Sequence, residues 1–153
     1  MKKLLGFFCL SAALAQAPSR EGVALWPAAR LQRYSSAMKA RLQQGMASEQ
    51  LASRGNHSLM VVRRDQSGEA EIHAGWHDIH IPQDGEAIIV HGGSLEGGRE
   101  TTPGEIRGGR ITGGTAQKVA AGDVLLIPAG TPHHTTVEKG KSVTVLIVKI
   151  EKK

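Results

Sequence analysis

The pattern of apolar and polar positions divides most of the chain into one helical stripe and a long series of short strands. Apolar residues recur at steps of three and four in one region: Leu31, Tyr34, Met38 and Leu42. This spacing predicts an amphipathic helix. Trp26-Pro27 marks its start, because proline is tolerated in the first turn of a helix, and Gly45 interrupts it.

A shorter segment from Met46 to Leu51 is predicted to resume the helix before Arg54-Gly55-Asn56. Together the two segments form a helical arm, which we expect to pack against a β domain or to act as a lid. A helix lying on a membrane surface is the alternative. The apolar stripe is diluted by Ser, Ala and Gln, which argues against that alternative.

From Ser58 onward the pattern is typical of β-strands, with turn residues every few positions. Turns are expected at residues 65–68 and 82–85, and a bend at Gly75. The predicted strands cover residues 58–64, 69–73, 77–81, 86–91, 117–120, 124–127, 133–137 and 142–150. Short strands at this spacing indicate a β-sandwich or a β-barrel, so the fold class is mainly β.

Residues 92–114 are rich in glycine and predict a long, mobile hairpin excursion. The run Gly108-Gly109-Arg110 within it does not predict a phosphate loop. A phosphate loop requires a following helix whose N-terminus faces the anion, and no helical pattern follows here.

Composition limits the classes of function. A chain of 153 residues is long enough for one domain with a real core. The net charge is +5, but the sequence has no basic run with interleaved aromatic residues. Binding to nucleic acid is therefore disfavoured.

The beginning of the chain is predicted to be a signal peptide, residues 1–15. Lys2-Lys3 precede an apolar run that is too short to span a bilayer as a stable helix. Two small-x-small sites follow, and cleavage after Ala15 is favoured because the other site would leave Pro18 at the new N-terminus. We therefore expect a periplasmic or secreted protein without a stable membrane anchor. A buried N-terminal helix is the alternative.

The only cysteine, Cys9, lies inside this signal peptide and lacks the sequence context of a lipoprotein site. Cleavage would leave a protein without any thiol. Disulfides, thiolate metal ligands and cysteine nucleophiles would then all be excluded.

The candidate chemistry comes from histidines, all of which follow the arm: His57, His73, His77, His80, His91, His133 and His134. Glu71 and His73 share one face of a predicted strand. If Gly75 resets the alternation, Asp78 and His80 point inward as well. The turn at residues 128–132 leads into two adjacent histidines, of which only one, His133 in our interpretation, can point inward.

These residues carry a resemblance to the cupin superfamily. Gly122, Pro128, Gly130 and His133 follow the second cupin motif, G-x5-P-x-G-x2-H. The first motif, H-x-H-x(3,4)-E-x6-G, is altered: Glu71 stands at its first histidine, His73 at its second, Asp78 at its glutamate and Gly85 at its glycine. The chain resembles the small, single-domain, secreted bacterial cupins with a helical N-terminal arm.

The resemblance implies a cupin jelly-roll barrel over residues 57–153, preceded by the helical arm at residues 16–56. It also implies one divalent metal inside the barrel, held by His73, Asp78 and His133 with Glu71 as a fourth ligand. Such a set suits Fe(II), Mn(II), Zn(II) or Ni(II). Two departures from the motif bear on this site, because aspartate is shorter than glutamate and Glu71 adds negative charge where cupins have a histidine.

The function expected from this resemblance is that of an enzyme, a dioxygenase, an isomerase or a related activity, with a small-molecule substrate. Glu71 or His80 would move a proton, although His80 stands where cupins often place an aromatic residue and would then only line the site. Exposed sheet edges favour a homodimer.

Two alternatives remain at the level of sequence. One is a cupin without metal that binds a small carbohydrate or organic acid. The other is a metal-free sugar epimerase, which needs a tyrosine acid. That second alternative is disfavoured, because the sole tyrosine, Tyr34, lies in the arm.

Overall fold

The computed structural model of the chain describes residues 22–153. The predicted signal peptide lies outside the described residues, as do the first residues of the predicted arm. The described part contains these elements in order: α1 (Ala28–Lys39), β1 (Met46–Arg54), β2 (His57–Arg64), β3 (Glu71–His73), β4 (Trp76–His91), β5 (Ser94–Glu96), β6 (Arg99–Thr102), β7 (Glu105–Arg107), β8 (Arg110–Thr112), β9 (Thr115–Ala120), β10 (Leu125–Ile127), β11 (His133–Thr136) and β12 (Val143–Glu151).

The long strand β4 organises the sheet, because its two halves belong to two different layers. Its first half pairs with β12 on one side and β10 on the other. Its second half pairs with β11 and β9. The first layer therefore runs β1-β2-β12-β4-β10, and the second layer runs β6-β7-β3-β11-β4-β9. All these pairings are antiparallel, as in a jelly roll.

The turn expected at residues 82–85 is wrong, because β4 continues through it with a β-bulge. Val145 pairs with Pro82 and Thr144 pairs with Asp84, so Gln83 is the extra residue. The bulge bends the strand from one layer into the other. Gly85 has φ of +74°, and a Cβ there would lie 1.9 Å from the carbonyl oxygen of Ser142. Only glycine fits this corner.

The helical segment expected at residues 46–51 is also wrong, since these residues lie in strand β1. They pair antiparallel with β2. Their side chains alternate between the two faces of the first layer: Ala47 is buried on one face, whereas Met46 and Ser48 line the interior on the other. Pairing with β2 outweighs the weak helical pattern, and it extends the sheet upstream of residue 57.

The helix α1 packs on the outer face of the first layer, as expected of a packing arm. Its apolar stripe contributes to one cluster with β1 and β2 that contains Tyr34, Met38, Ala47, Leu51 and Val61, with Leu31 and Leu42 packed against it. The Tyr34 hydroxyl donates a hydrogen bond of 2.8 Å to Glu49. Tyr34 is thus committed to the outside of the barrel and not to its interior. Among residues 22–153, no helix has the length and hydropathy needed to cross a membrane.

The glycine-rich stretch is paired structure and not an irregular loop. It forms two antiparallel pairs, β5 with β8 and β6 with β7. Strand β7 also pairs with β3. The excursion therefore returns to the second layer and delivers side chains beside Glu71 and His73.

A second apolar cluster forms the core shared by the two layers. Its buried members are Ala87, Ile89, Val119, Ile127, Val137, Val143 and Val145. They come from both layers, and Ile89 and Val143 are almost fully buried. This core leaves part of the interior to polar residues, which form the candidate site.

Candidate metal centre

The strand register of the second layer builds one side of the site. Glu71 lies directly opposite His133 of β11 and opposite Arg107 of β7. His73 lies opposite Glu105 of β7. Because directly opposed residues project to the same face, these five side chains meet on the interior face of the layer.

The first layer supplies the other side of the site. Asp78 and His80 alternate inward along β4, and Asp78 lies opposite Lys149 of β12. The turn at residues 74–75 resets the alternation, as expected, so that His77 points away from the cluster. The Nδ1 atom of His77 accepts a hydrogen bond of 3.2 Å from the backbone N–H of Ala129. It thereby supports the turn that precedes His133.

The predicted site residues lie in one buried cluster. His73 Nε2 is 3.5 Å from Asp78 Oδ2 and 3.8 Å from Glu71 Oε2. His133 Nε2 is 3.5 Å from Glu71 Oε1, and His80 Nε2 is 3.9 Å from Asp78 Oδ2. Two overlapping triads have ligand atoms within 4.8 Å of one another: Glu71, His73 and His133, and Asp78, His80 and His133.

Two of the imidazoles are oriented by bonds to the nitrogen that faces away from the cluster. His133 Nδ1 donates to the carbonyl oxygen of Thr131 at 3.0 Å. His73 Nδ1 lies 2.5 Å from Glu105 Oε2. A carbonyl oxygen can only accept, so the neutral form of His133 has its lone pair on Nε2, directed inward. This arrangement is typical of histidines that bind metals.

The Nε2 atom of His133 is the clearest sign of an unmet bonding requirement. It is buried and makes no hydrogen bond to any described residue. The 3.5 Å to Glu71 Oε1 is too long for a good hydrogen bond. A buried polar atom without a partner carries a free-energy cost of about 1–3 kcal/mol, which a bound ligand would remove.

Electrostatics keep the carboxylates of the cluster ionised. Burial would raise the pKa of Glu71, but the neighbouring imidazoles of His133 and His73 outweigh burial and hold that pKa well below its usual range. Burial likewise opposes ionisation of Asp78, and His80 and Lys149 bring its pKa below the ordinary value.

The pKa of His73 shifts in the opposite direction. Burial would lower it and the charge of Lys149 also lowers it, but Glu71 and Asp78 raise the pKa above its ordinary value. His73 therefore keeps its proton to a higher pH than a free imidazole does.

Four charged residues of the site were not predicted from the sequence: Arg64, Glu105, Arg107 and Lys149. Glu105 and Arg107 lie in the glycine-rich stretch, where no pattern indicated a strand beside β3. Lys149 could have been found, since it shares one face of β12 with the inward-pointing Val145 and Ile147. A lysine at such a position predicts a buried anion as its partner.

Lys149 changes the interpretation of Asp78. Its Nζ atom lies 2.8 Å from both carboxylate oxygens of Asp78. Arg107, in contrast, contacts only Oε2 of Glu71, so that Oε1 still faces His133. The donor set therefore fits a divalent metal best at Glu71, His73 and His133, with Asp78 adjacent and held by a lysine.

Comparisons with known proteins agree with this architecture. No protein-family model matches the sequence, and no curated protein matches it. Solved structures do match. The cupin domain of Schizosaccharomyces pombe Cnp3 aligns with a TM-score of 0.54 and 10% identity over 72% of this chain and 67% of that chain.

Two further structures align with slightly lower TM-scores. An oxalate oxidase in complex with the substrate analogue glycolate aligns with a TM-score of 0.52 and 16% identity over 73% of this chain and 54% of that chain. A predicted oxalate decarboxylase from Thermotoga maritima has a TM-score of 0.52 and 16% identity over 70% of this chain and 81% of that chain.

The two-layered antiparallel sheet and these matches define a protein with the cupin fold. Within residues 22–153, the chain forms a single jelly-roll barrel preceded by one short helix that packs on its outer face.

Proposed function

We propose that this protein binds one divalent transition metal at Glu71, His73 and His133 and acts as an enzyme on a small molecule. The observation that carries the proposal is the buried Nε2 atom of His133, which has no hydrogen-bond partner among the described residues and points towards Glu71. The similar structures of an oxalate oxidase and a predicted oxalate decarboxylase support an enzymatic role.

In this proposal the other side chains of the site have roles as well. A cavity of about 150 Å³ is lined by Glu71, His73, Asp78 and His80, so a small molecule would contact the cluster directly. The metal would supply Lewis acidity or a binding position for oxygen. With Glu71 used as a ligand, His80 is the group that would take or give a proton.

Export and assembly are part of the proposal. The Lys2-Lys3 pair and the apolar run after it support cleavage near Ala15 and a periplasmic or secreted location. Exposed strand edges support a homodimer.

Metal analysis of the exported chain tests the proposal. The protein is purified without chelator or metal resin, and Fe, Mn, Zn and Ni are quantified by mass spectrometry. We expect about one metal per chain, reduced to a small fraction in His133→Ala. His134→Ala is the matched control, since His134 faces Thr136 instead of the cluster. Wild-type protein that carries no metal, takes none up on titration and behaves like His133→Ala would overturn the proposal.

A second candidate function is favoured by the pairing of Lys149 with Asp78. Because a lysine already neutralises Asp78, the barrel has one carboxylate satisfied without metal. The protein would then be a metal-free module that binds a small carbohydrate or organic acid. Its ligand would raise the unfolding temperature equally with and without EDTA. Loss of that stabilisation in EDTA would favour the metal-binding enzyme.

A further inference from the structure

The interior cavity has two kinds of lining. The carboxylates and imidazoles of the candidate metal site form its polar lining, and Met60, Val62 and Ile147 contribute apolar side chains. Three cationic side chains also line it: Arg64, Arg107 and Lys149. Three cationic side chains beside the candidate metal site favour a ligand with negative charge.

Arg64 differs from the other two cations in its partners. Arg107 pairs with Glu71, and Lys149 pairs with Asp78. Among the described residues, no carboxylate lies within ion-pair distance of the Arg64 guanidinium, although the more distant charge of Glu71 still attracts it. This guanidinium packs closely on Gly68, where a Cβ would lie 3.0 Å from its Cζ atom. Arg64 is thus a half-buried cation held in place by packing.

The charge balance of the cavity shows what Arg64 can bind. Its three cations face three carboxylates, Glu71, Asp78 and Glu105, so the charges of these six side chains cancel one another. A divalent metal would make the cavity net positive. An arginine presents a planar fork of N–H donors that matches a carboxylate, and a partly buried guanidinium gains most from such a partner.

We propose that Arg64 binds the carboxylate of a small aliphatic acid, and that this acid is the substrate class of the site. The inference deepens the proposed function and relies on it for the neighbouring metal. A cavity of about 150 Å³ is large enough for a molecule the size of benzene, about six non-hydrogen atoms. Met60, Val62 and Ile147 would contact the aliphatic part of the acid.

Binding of butyrate tests the inference directly, since butyrate has a carboxylate, an aliphatic tail and the required size. Butyramide is its neutral control of nearly the same shape. Both are titrated by NMR or calorimetry into the metal-loaded and the chelator-treated protein. We expect butyrate to bind both forms and butyramide to bind at least about tenfold more weakly, because the amide lacks the charge.

Three variants assign the binding to Arg64. We expect Arg64→Met to weaken butyrate binding by about tenfold or more, and Arg64→Lys to bind at an intermediate level because it keeps charge but loses the planar fork. Arg110→Met is the matched control, as Arg110 is exposed and pairs with Glu96 on the excursion. If Arg64→Met fails to fold, Arg64→Lys carries the comparison alone.

The outcomes separate this inference from the proposed function. Metal content is measured for each variant, and Arg64→Met should retain the wild-type level. Butyrate binding that depends on Arg64 in chelator-treated protein supports the carboxylate site even if no metal binds. Absence of butyrate binding in both forms, or binding that is the same in wild type, Arg64→Met and Arg64→Lys, overturns the inference whatever the metal content.

Discussion

At the scale of single residues, Lys149 decides which carboxylate the site can offer to a metal. Glu71 and Asp78 are both buried beside imidazoles, but only Asp78 has both of its oxygens bonded to an ammonium. A metal at Asp78 would have to compete with a covalently attached cation at 2.8 Å. Glu71 keeps its Oε1 atom directed at His133, so a metal would meet less competition from a cationic side chain there.

Removal of the lysine charge should strengthen metal binding. In Lys149→Met, Asp78 is freed as an additional ligand and the repulsion between two cations disappears. We expect metal affinity to increase by about tenfold, measured by competition with a chelator of known affinity. Lys118→Met removes an exposed lysine paired with Glu86 and should leave the affinity unchanged. Weaker binding in Lys149→Met would show that the lysine supports the metal and does not compete with it.

The pKa shifts predict a stability optimum for the metal-free protein. Glu71 has a folded pKa below its ordinary 4.5, so its contribution to stability is present above that pH and is lost as the pH falls. His73 has a folded pKa above its ordinary 6.5, so its contribution is present below that pH and is lost as the pH rises through the folded value. The optimum should therefore lie between the carboxylate and imidazole ranges.

Thermal unfolding in EDTA across this pH range measures the effect. Glu71→Gln removes the carboxylate that faces both His73 and His133. We therefore expect its unfolding temperature to vary less with pH, both on the acid side and on the neutral side. A wild-type unfolding temperature that increases steadily with pH would contradict this explanation. So would a pH dependence of Glu71→Gln that matches that of the wild type.

The residue scale also shows what the sequence can reveal. The inward orientation of His73, Asp78 and His133 is predictable, because motif spacing and strand alternation both place these side chains inside the barrel. The partners of these residues come from strands β7 and β12, and pairing between distant strands leaves no local signal. Arg64 also has no local signal, because it occupies the last position of an otherwise ordinary strand.

At the scale of elements, the bend in β4 connects the two layers that form the site. Its first half carries Asp78 and His80, and its second half pairs with β11, which carries His133. The bulge at Gln83 and the positive φ of Gly85 set the angle between these halves. A small change at the corner is therefore expected to disturb the whole barrel.

Two glycine substitutions test the corner. Gly85→Ala places a Cβ 1.9 Å from a backbone oxygen, whereas Gly140→Ala has a similar positive φ and no atom within 4 Å. We expect Gly140→Ala to lower the free energy of unfolding by about 1 kcal/mol and Gly85→Ala by about 3 kcal/mol or more. Urea denaturation measures both. Equal losses would show that backbone conformation alone, and not the close approach, determines the cost.

Strand β7 contributes an orienting role through Glu105. This carboxylate fixes the ring of His73 so that Nε2 faces the cluster. We expect Glu105→Ala to weaken metal binding by about 10–100-fold without loss of folding, as for other residues that orient a metal-binding histidine. Glu96→Ala, an exposed glutamate of the same excursion, is the control. Unchanged affinity in Glu105→Ala would remove this role.

The strands that were predicted correctly have alternating apolar and polar residues and are bounded by turn residues. The predictions were wrong where pairing with another strand, and not the local sequence, determines the secondary structure. Strands β2, β11 and β12 lie close to the predicted positions. Residues 82–85 have the composition of a turn, but cross-strand bonds to β12 carry the backbone through them as a bulge. Residues 46–51 have a weak helical pattern, but they form a strand because they pair with the edge of β2.

At the scale of the whole molecule, the apolar packing regions are separate from the charged residues of the candidate site. The helix and its apolar stripe stabilise the outer face of the first layer, and the core between the layers is formed by small and β-branched residues. The remaining interior holds charged groups from five strands: β2, β3, β4, β7 and β12, with His133 added by β11. The overall fold followed from patterning and the motif resemblance, whereas the charge arrangement required the three-dimensional pairing.

The most direct test of the account is to locate the metal itself. Crystals of the purified protein, loaded with the metal that it retains, are measured above and below that metal's absorption edge. We predict one anomalous peak inside the barrel, bonded to Glu71, His73 and His133 at about 2.0–2.2 Å. No interior peak, or a peak only at surface histidines such as His57, would contradict it.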